Sequence, residues 1–345
     1  MPGDRRPPRR LLVTGGAGFI GSNFTRIMLA ARPEIEIAVL DKLTYAGNLE
    51  NLKDLEGNPR YRFIRGDICD EKTVEDAARG CDCILNFAAE THVDRSIGDP
   101  GSFIKTDVYG TYVLLEATRK LGVSRFIQIS TDEVYGTAVD EPSSETACLM
   151  PQSPYAASKA GADRLAYSYF VTYGTPVVIT RSTNNYGPYQ YPEKMVSLFV
   201  TNALEDKPLP VYGTGKNTRD WIYVSDHVKA LEAVMDAEGV EGEVFNIGSG
   251  VEVSVLEMAE MILKALGKPA SLVKMVKDRP GHVLRHAVRT DKIRSRMGWR
   301  PEVSFDQGLR ETIKWYVENK RWWQRIKSGE FKEYYRKMYA EMNQR

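Results

Sequence analysis

Short β-branched and apolar runs alternate with longer amphipathic segments through the first half of the chain. RLLVTG (10–15), IEIAVL (35–40), YRFIRG (61–66), CILNFAA (83–89), RFIQIS (125–130) and PVVITR (176–181) predict strands. Helical periodicity predicts helices near 19–31, 71–79, 100–121 and 154–173. Alternating βα units of this length predict an α/β fold with a parallel sheet and helices on both faces. Ligands then gather at the carboxyl ends of the strands. After residue 182 the rhythm changes. Gly and Pro punctuate the chain at 187–192, 208–215, 248–250 and 279–281, and helical patterns return at 193–205, 225–237, 253–266 and 305–319. The expected organisation is a basic, disordered tail at 1–9, a first domain over 10–182, and a smaller mixed α/β lobe over 183–345. Segments of the two domains can interchange. The stretch 321–339 reads as an amphipathic helix covering the lobe.

Composition narrows the class. The 345 residues are 42% apolar and 27% charged, with a net charge of +1, so no global field recruits nucleic acid or an anionic membrane. No apolar run reaches membrane-spanning length and no signal peptide is evident. The four cysteines are scattered, and Cys81-Asp-Cys83 has the wrong spacing for a redox or zinc pair. No metal site is expected, and reduced thiols point to the cytoplasm.

VTGGAGFIG (13–21) leaves the first strand and opens the first helix. Gly16, Gly18 and Gly21 fit GxGxxG; Gly15, Gly18 and Gly21 fit GxxGxxG. Glycine allows the tight turn, the approach of a pyrophosphate and close helix packing, and the helix N-terminus offers free N–H groups. The fold expected is therefore a Rossmann-like doubly wound sheet. Asp41 ends the second strand where a carboxylate meets the adenosine ribose of NAD. Lys42 beside it weakens that preference over NADP. Asp67 could meet the adenine or serve as a turn residue.

ISTDEVYG (129–136) sets a hydroxyl and two carboxylates at a strand end, which suggests proton handling. SPYAASKA (153–160) opens a helix with Ser153 as N-cap and Pro154 as its first residue. Tyr155 and Lys159 share one face at i and i+4. An ammonium beside the phenol, and a nicotinamide cation near it, are expected to lower its pKa and make Tyr155 a base.

TGGAGFIG, FAAETHVDRSI, STDEVYG and YAASK together resemble the extended short-chain dehydrogenase/reductase family. NNYGPYQYPEK (184–194), LPVYGTGKNTRDWIYVSDH (209–227), EVFNIG (243–248) and DRPGH (278–282) extend the likeness to the nucleotide-sugar 4,6-dehydratases within it. The resemblance covers about residues 10–320. It implies NAD held by Gly15, Gly18, Phe19, Ile20, Asp41, Lys42, Thr44, Asp67, Ile68, Ala88, Ala89, Ser130, Tyr155 and Lys159. It implies a nucleotide-sugar substrate, dTDP-glucose, met by Asn185, Glu193, Lys194, Pro210, Tyr212, Arg219, Asn246, Arg279 and His282. Tyr155 would take the C4 hydroxyl proton as the C4 hydride leaves, with Thr131 polarising the oxygen. Glu133 would remove the C5 proton and Asp132 would protonate the departing C6 hydroxyl. That last role requires an Asp132 pKa raised by burial or by its neighbour. Relatives also imply a homodimer through the helices near 100–122 and 154–173. Decarboxylases and epimerases of the superfamily are alternatives that lack this acid pair, and a silent NAD-binding sensor would not need it. Four features depart from the family pattern: Asp107 where Asn is usual, Ser182-Thr183 for Cys-Ser, Val283 for an acid and His286 for Tyr.

Overall fold

The computed structural model describes residues 7–329, together with 333, 335 and 336. Most of the expected basic tail, and the expected 321–339 helix beyond residue 329, lie outside these residues apart from those three positions. Strands β1 (Arg10–Thr14), β2 (Glu36–Asp41), β3 (Tyr61–Arg65), β4 (Cys83–Asn86), β5 (Arg125–Thr131) and β6 (Val177–Ser182) form where the alternation placed them. The later half adds β7 (Asn184–Tyr186), β8 (Leu209–Tyr212), β9 (Thr218–Tyr223), β10 (Val244–Ile247), β11 (Glu252–Ser254), β12 (Val273–Val276) and β13 (Arg285–His286).

The main sheet is seven-stranded, in the order β10-β6-β5-β4-β1-β2-β3, and every pairing in it is parallel. The strand order reverses beside β1, which opens a crevice at the carboxyl edge. Successive side chains alternate between two cores. Leu11, Val13, Ile37 and Val39 pack under Phe24 and Met28 of the helix Phe19–Ala31 and under Val228 and Leu231 of the helix Val224–Asp236. Leu12, Leu40, Ile84 and Phe126 pack under Val113 and Leu114 of the helix Gly110–Leu121 and under Ala166 of the helix Pro154–Tyr173. Strand β10 and the helix Val224–Asp236, both from beyond residue 183, thus belong to the first layer system.

The smaller lobe is built around β9, which pairs with β7, β11 and β13, while β8 pairs with β12. Its core holds Val196, Phe199, Trp221, Met258, Tyr316 and Trp323. The helix Lys320–Ser328 closes it: Trp322 and Trp323 are buried, and the Trp322 indole donates to Asn51 Oδ1 at 2.9 Å, tying the lobe to the first domain. No helix among the described residues is long and apolar enough to cross a membrane.

Candidate active site

The carboxyl edge of the main sheet and the lobe enclose one continuous cleft running from Gly15 past Tyr155 to Arg279 and His282. A buried polar chain braces its floor. Thr14 Oγ1 donates to Asn86 Oδ1 at 2.7 Å, and Asn86 Nδ2 donates to Gln128 Oε1 and Thr111 Oγ1 at 3.0 and 3.2 Å. These bonds lock the ends of β1, β4 and β5 together.

At one end lies the glycine turn. Gly15 has φ +67°, and a Cβ there would sit 2.6 Å from the Ala88 nitrogen. A Cβ on Gly21 would sit 2.6 Å from the Gly15 carbonyl. Gly18 caps the helix Phe19–Ala31 without a side-chain bond, so amides at the helix start are left for a ligand. The site is thus of the GxxGxxG kind. Asp41 accepts from the Ala17 and Leu43 amides at 2.9 and 2.7 Å, and burial raises its pKa. Lys42 turns away to pair with Asp67 at 2.7 Å, so its charge is not free for a ribose phosphate. Asp67 is both a turn residue, accepting from the Cys69 amide, and part of the cleft wall. Phe19, Ile20, Thr44, Ile68, Ala88, Ala89 and Ser130 complete this wall, and the buried Ser130 hydroxyl has no partner among the described residues. A cradle that only glycine permits, an unpaired hydroxyl and a carboxylate at the end of β2 fit a dinucleotide.

The acid pair sits at mid-cleft, where Glu133 lines the wall and Asp132 lies behind it. β5 ends at Thr131, which caps a single 3-10 turn, Asp132–Tyr135, by accepting from the Glu133 amide at 3.3 Å. The turn points consecutive side chains apart. Asp132 is 3% exposed and Glu133 lines the cleft. Gly136 ends the turn at φ +75°, where a Cβ would meet the Met150 carbonyl at 2.4 Å. The Tyr135 hydroxyl is pinned between Arg181 and Asn246 at 2.7 and 2.8 Å. Burial first, then the charge of Glu133, pushes Asp132 well above the usual carboxylate range, and its Oδ2 has no partner among the described residues.

Tyr155 opens its helix as predicted, with Ser153 Oγ accepting from the Ala156 amide at 3.1 Å. The expected lowering of its pKa is absent from the protein alone. Burial, then Glu133, Asp107 and Asp132, push the phenol well above its usual value, with the Thr131 hydroxyl opposing. Lys159 instead donates to the Ile129 carbonyl at 2.7 Å. Helical spacing alone missed the carboxylates that other elements bring to the phenol.

At the far end, Arg219 is buried and Arg279 partly so; desolvation, with the Arg279 charge adding to it, brings Arg219 down to about 10, while Asp94 and Glu133 hold Arg279 above its ordinary value despite desolvation. Arg219 donates to the Thr218 and Val283 carbonyls, and Arg279 to Asp94 at 3.2 Å, while the Arg279 Nε is without a partner among the described residues. Two crowded guanidiniums with donors to spare define an anion site. Tyr212 lies beneath Arg279 with its ring centroid 5.6 Å from the guanidinium carbon, and His282 bonds Asp278 at 2.6 Å. Pro210 lines the same end. Lys194 donates to Thr91 at 2.8 Å. Glu193 pairs with Arg95 through one oxygen, and the other, buried, has no partner among the described residues. Asn185 lines the cleft, but its amide is bonded to His227, Ser182 and Thr183.

Asn246 corrects an expectation. It lies inside β10, fully buried, bonded to Tyr135, Glu145 and Ser143, and it does not line the cleft. The sequence reading missed Thr91 and Asp94, although both stand in FAAETHVDRSI. Asp94 accepts from Arg279 and from the Tyr212 hydroxyl. Among the departures, Val283 serves through its carbonyl, and His286 is buried beside Arg219.

A cofactor cradle, a Tyr–Lys pair and an acid pair beside an anion site define a nucleotide-sugar dehydratase. The family model described as GDP-mannose 4,6 dehydratase matches residues 12–312, and the chain belongs to that family. Within it, the chain is a member of the dTDP-glucose 4,6-dehydratases. The dTDP-glucose 4,6-dehydratase of Streptomyces niveus is 50% identical over 92% of this chain and 96% of its own length. That of Escherichia coli is 45% identical over 93% and 97%. The crystal structure of the dTDP-glucose 4,6-dehydratase DesIV from Streptomyces venezuelae, solved with NAD bound, superposes with a TM-score of 0.90 at 48% identity over 92% of this chain and 99% of that one. A UDP-glucuronic acid 4-epimerase from Bacillus cereus superposes at 0.85 with 30% identity, over 90% of this chain and 99% of that one.

Proposed function

We propose that the protein converts dTDP-glucose to dTDP-4-keto-6-deoxyglucose with loss of one water, using NAD that it holds through the cycle. The observation that carries this reading is the buried acid beside an accessible carboxylate at Asp132–Glu133. NAD, when bound, supplies the hydride acceptor and gives the hydride back at C6. Residues 10–182 mainly hold this cofactor, and 183–345 mainly hold the nucleotide sugar. Tyr155, supported by Thr131, takes the C4 hydroxyl proton. The C4 ketone acidifies C5–H, and Glu133 removes that proton. Asp132, whose pKa burial and then the Glu133 charge raise, gives its proton to the C6 hydroxyl, which leaves as water. C5 is reprotonated as the hydride reaches C6. Arg219, Arg279 and His282 hold the diphosphate, and Tyr212 and Pro210 flank the nucleoside.

Two further elements belong to this reading. Ile104, Tyr109, Tyr112, Tyr167, Val171 and Tyr173 are exposed on the neighbouring helical segments 100–121 and 154–173, and a second copy of the chain would cover them. None of the four cysteines is in a disulfide, which suits a cytoplasmic enzyme. The test is to incubate the purified protein with dTDP-glucose, without added NAD, and follow the sugar by mass spectrometry. Formation of a keto sugar one water lighter supports the reading. Unchanged substrate, even with NAD supplied, rejects it.

A further inference from the structure

Beneath the Tyr155–Lys159 pair lies a carboxylate that the proposed reaction does not use. Asp107 stands in a π-helical turn, Ile104–Tyr109, within an otherwise α-helical stretch. It is 2% exposed. Its Oδ1 accepts from the Glu90 amide at 2.8 Å and its Oδ2 from the Ser158 hydroxyl at 2.6 Å. Ser158 lies in the turn between Tyr155 and Lys159 and also reaches the Tyr155 carbonyl, at 2.8 Å. The carboxylate thus joins three pieces of the site: the cofactor wall at Glu90, the Tyr155 helix, and the buried ammonium.

The charges around the pair are few. Lys159 is buried, and two carboxylates attract it, Asp107 and then Asp163. Asp163 is already held by Arg181 at 2.8 and 2.9 Å and by Arg164 at 2.6 Å. Among the described residues Asp107 has no such cation, so it serves as the counter-ion of Lys159. Tyr155 faces Glu133 and Asp132 from the 3-10 turn and Asp107 from the π turn. Glu90 faces Asp107 from the loop after β4.

We propose that Asp107 is a positioning residue that offsets the Lys159 charge and so raises the pH at which Tyr155 can act as base. The proposal rests on the reading of Tyr155 given above. An asparagine at this position keeps the geometry. Its oxygen still accepts from Glu90, and its amide can donate to Ser158, whose own proton then goes to the Tyr155 carbonyl. Asp107→Asn therefore removes charge with little change of shape.

The test is the pH profile of kcat/KM on dTDP-glucose for the holoenzyme and for Asp107→Asn. It is paired with a tyrosinate absorbance titration from which the Tyr155→Phe signal is subtracted. The acid limb and the tyrosinate midpoint are expected to move down together by about one pH unit or more on loss of a nearby like charge. Profiles that coincide, or that move up, overturn the proposal, as does a lower kcat at every pH with unchanged midpoints, which would mark a merely structural role. A wild-type enzyme inert on dTDP-glucose would instead overturn the functional reading. The tyrosinate titration would still decide the role of Asp107.

Discussion

Asp132 and Glu133 are adjacent in the chain but occupy opposite environments: Asp132 is sealed beneath the 3-10 turn with an unpartnered oxygen, and Glu133 faces the cleft. Burial, and then the neighbouring charge, raise the pKa of the first, the shift that the proposed acid role calls for. The division of labour can be read by isotope. In deuterated water, Glu133→Gln is expected to stop exchange at C5 and to lower turnover by about 10²–10⁴. Asp132→Asn is expected to lose turnover to a similar degree while C5 exchange continues. Equal loss of exchange in both variants would contradict separate roles.

The glycine turn makes a steric prediction. Gly15→Ala places a Cβ 2.6 Å from backbone that cannot move aside, at positive φ. The purified variant should carry little or no NAD, read from the absorbance of the denatured supernatant. Its melting temperature should also fall. Gly57→Ala, at φ +82° but with nothing within 4 Å, is the control: it carries the backbone strain without the clash and should keep its NAD.

Much of this was legible in the chain. The helices Phe19–Ala31 and Pro154–Tyr173 begin and end where periodicity and their end residues placed them, because Gly18, Ser153 with Pro154, and Gly174 fix their ends locally. The short strands β7, β11 and β13 were not legible. Two or three residues show no alternation, and they exist because β9 offers them backbone partners. FNIG was read as a site motif, but Asn246 faces Tyr135 across the fold. The raised phenol pKa of Tyr155 was equally hidden, since Glu133 and Asp107 reach it from distant elements. Asp94 escaped notice because its role is to hold an arginine some 185 residues away.

The Asp94–Arg279 pair predicts an asymmetric mutational result. The Asp94 side chain is buried and Arg279 partly so, and despite desolvation His92 and then Arg279 hold Asp94 below its ordinary pKa. Among the described residues, Arg279→Ala leaves Asp94 with only the Tyr212 hydroxyl and His92 beside it, and on the proposed reading removes a diphosphate ligand. It should raise KM strongly and destabilise the fold by about 1–3 kcal/mol. Asp94→Asn leaves the guanidinium free to turn and should raise KM with little change in kcat. Denaturant melts and steady-state kinetics on the two single variants and the double variant give the coupling. An additive double variant would show that the pair is not an energetic unit.

The buried Asp107 also predicts a pH dependence of stability, independent of turnover. Burial raises its pKa from 3.8 to about 6. A carboxylate whose folded pKa lies above its unfolded value binds its proton more tightly when folded. It therefore imposes no penalty below the unfolded pKa, a growing penalty between pH 3.8 and about 6, and the full penalty above that. The full penalty corresponds to roughly 3 kcal/mol at 1.36 kcal/mol per pH unit. Asp107→Asn removes the ionisation and keeps both hydrogen bonds. The variant should therefore melt at nearly the wild-type temperature near pH 4 and progressively above it as the pH rises toward 6, with the difference level beyond. Scanning calorimetry of both proteins across that range decides the matter. A difference that keeps growing well above pH 6 would mean that Asp107 stays protonated within the fold, and its role as counter-ion to Lys159 would fall with it.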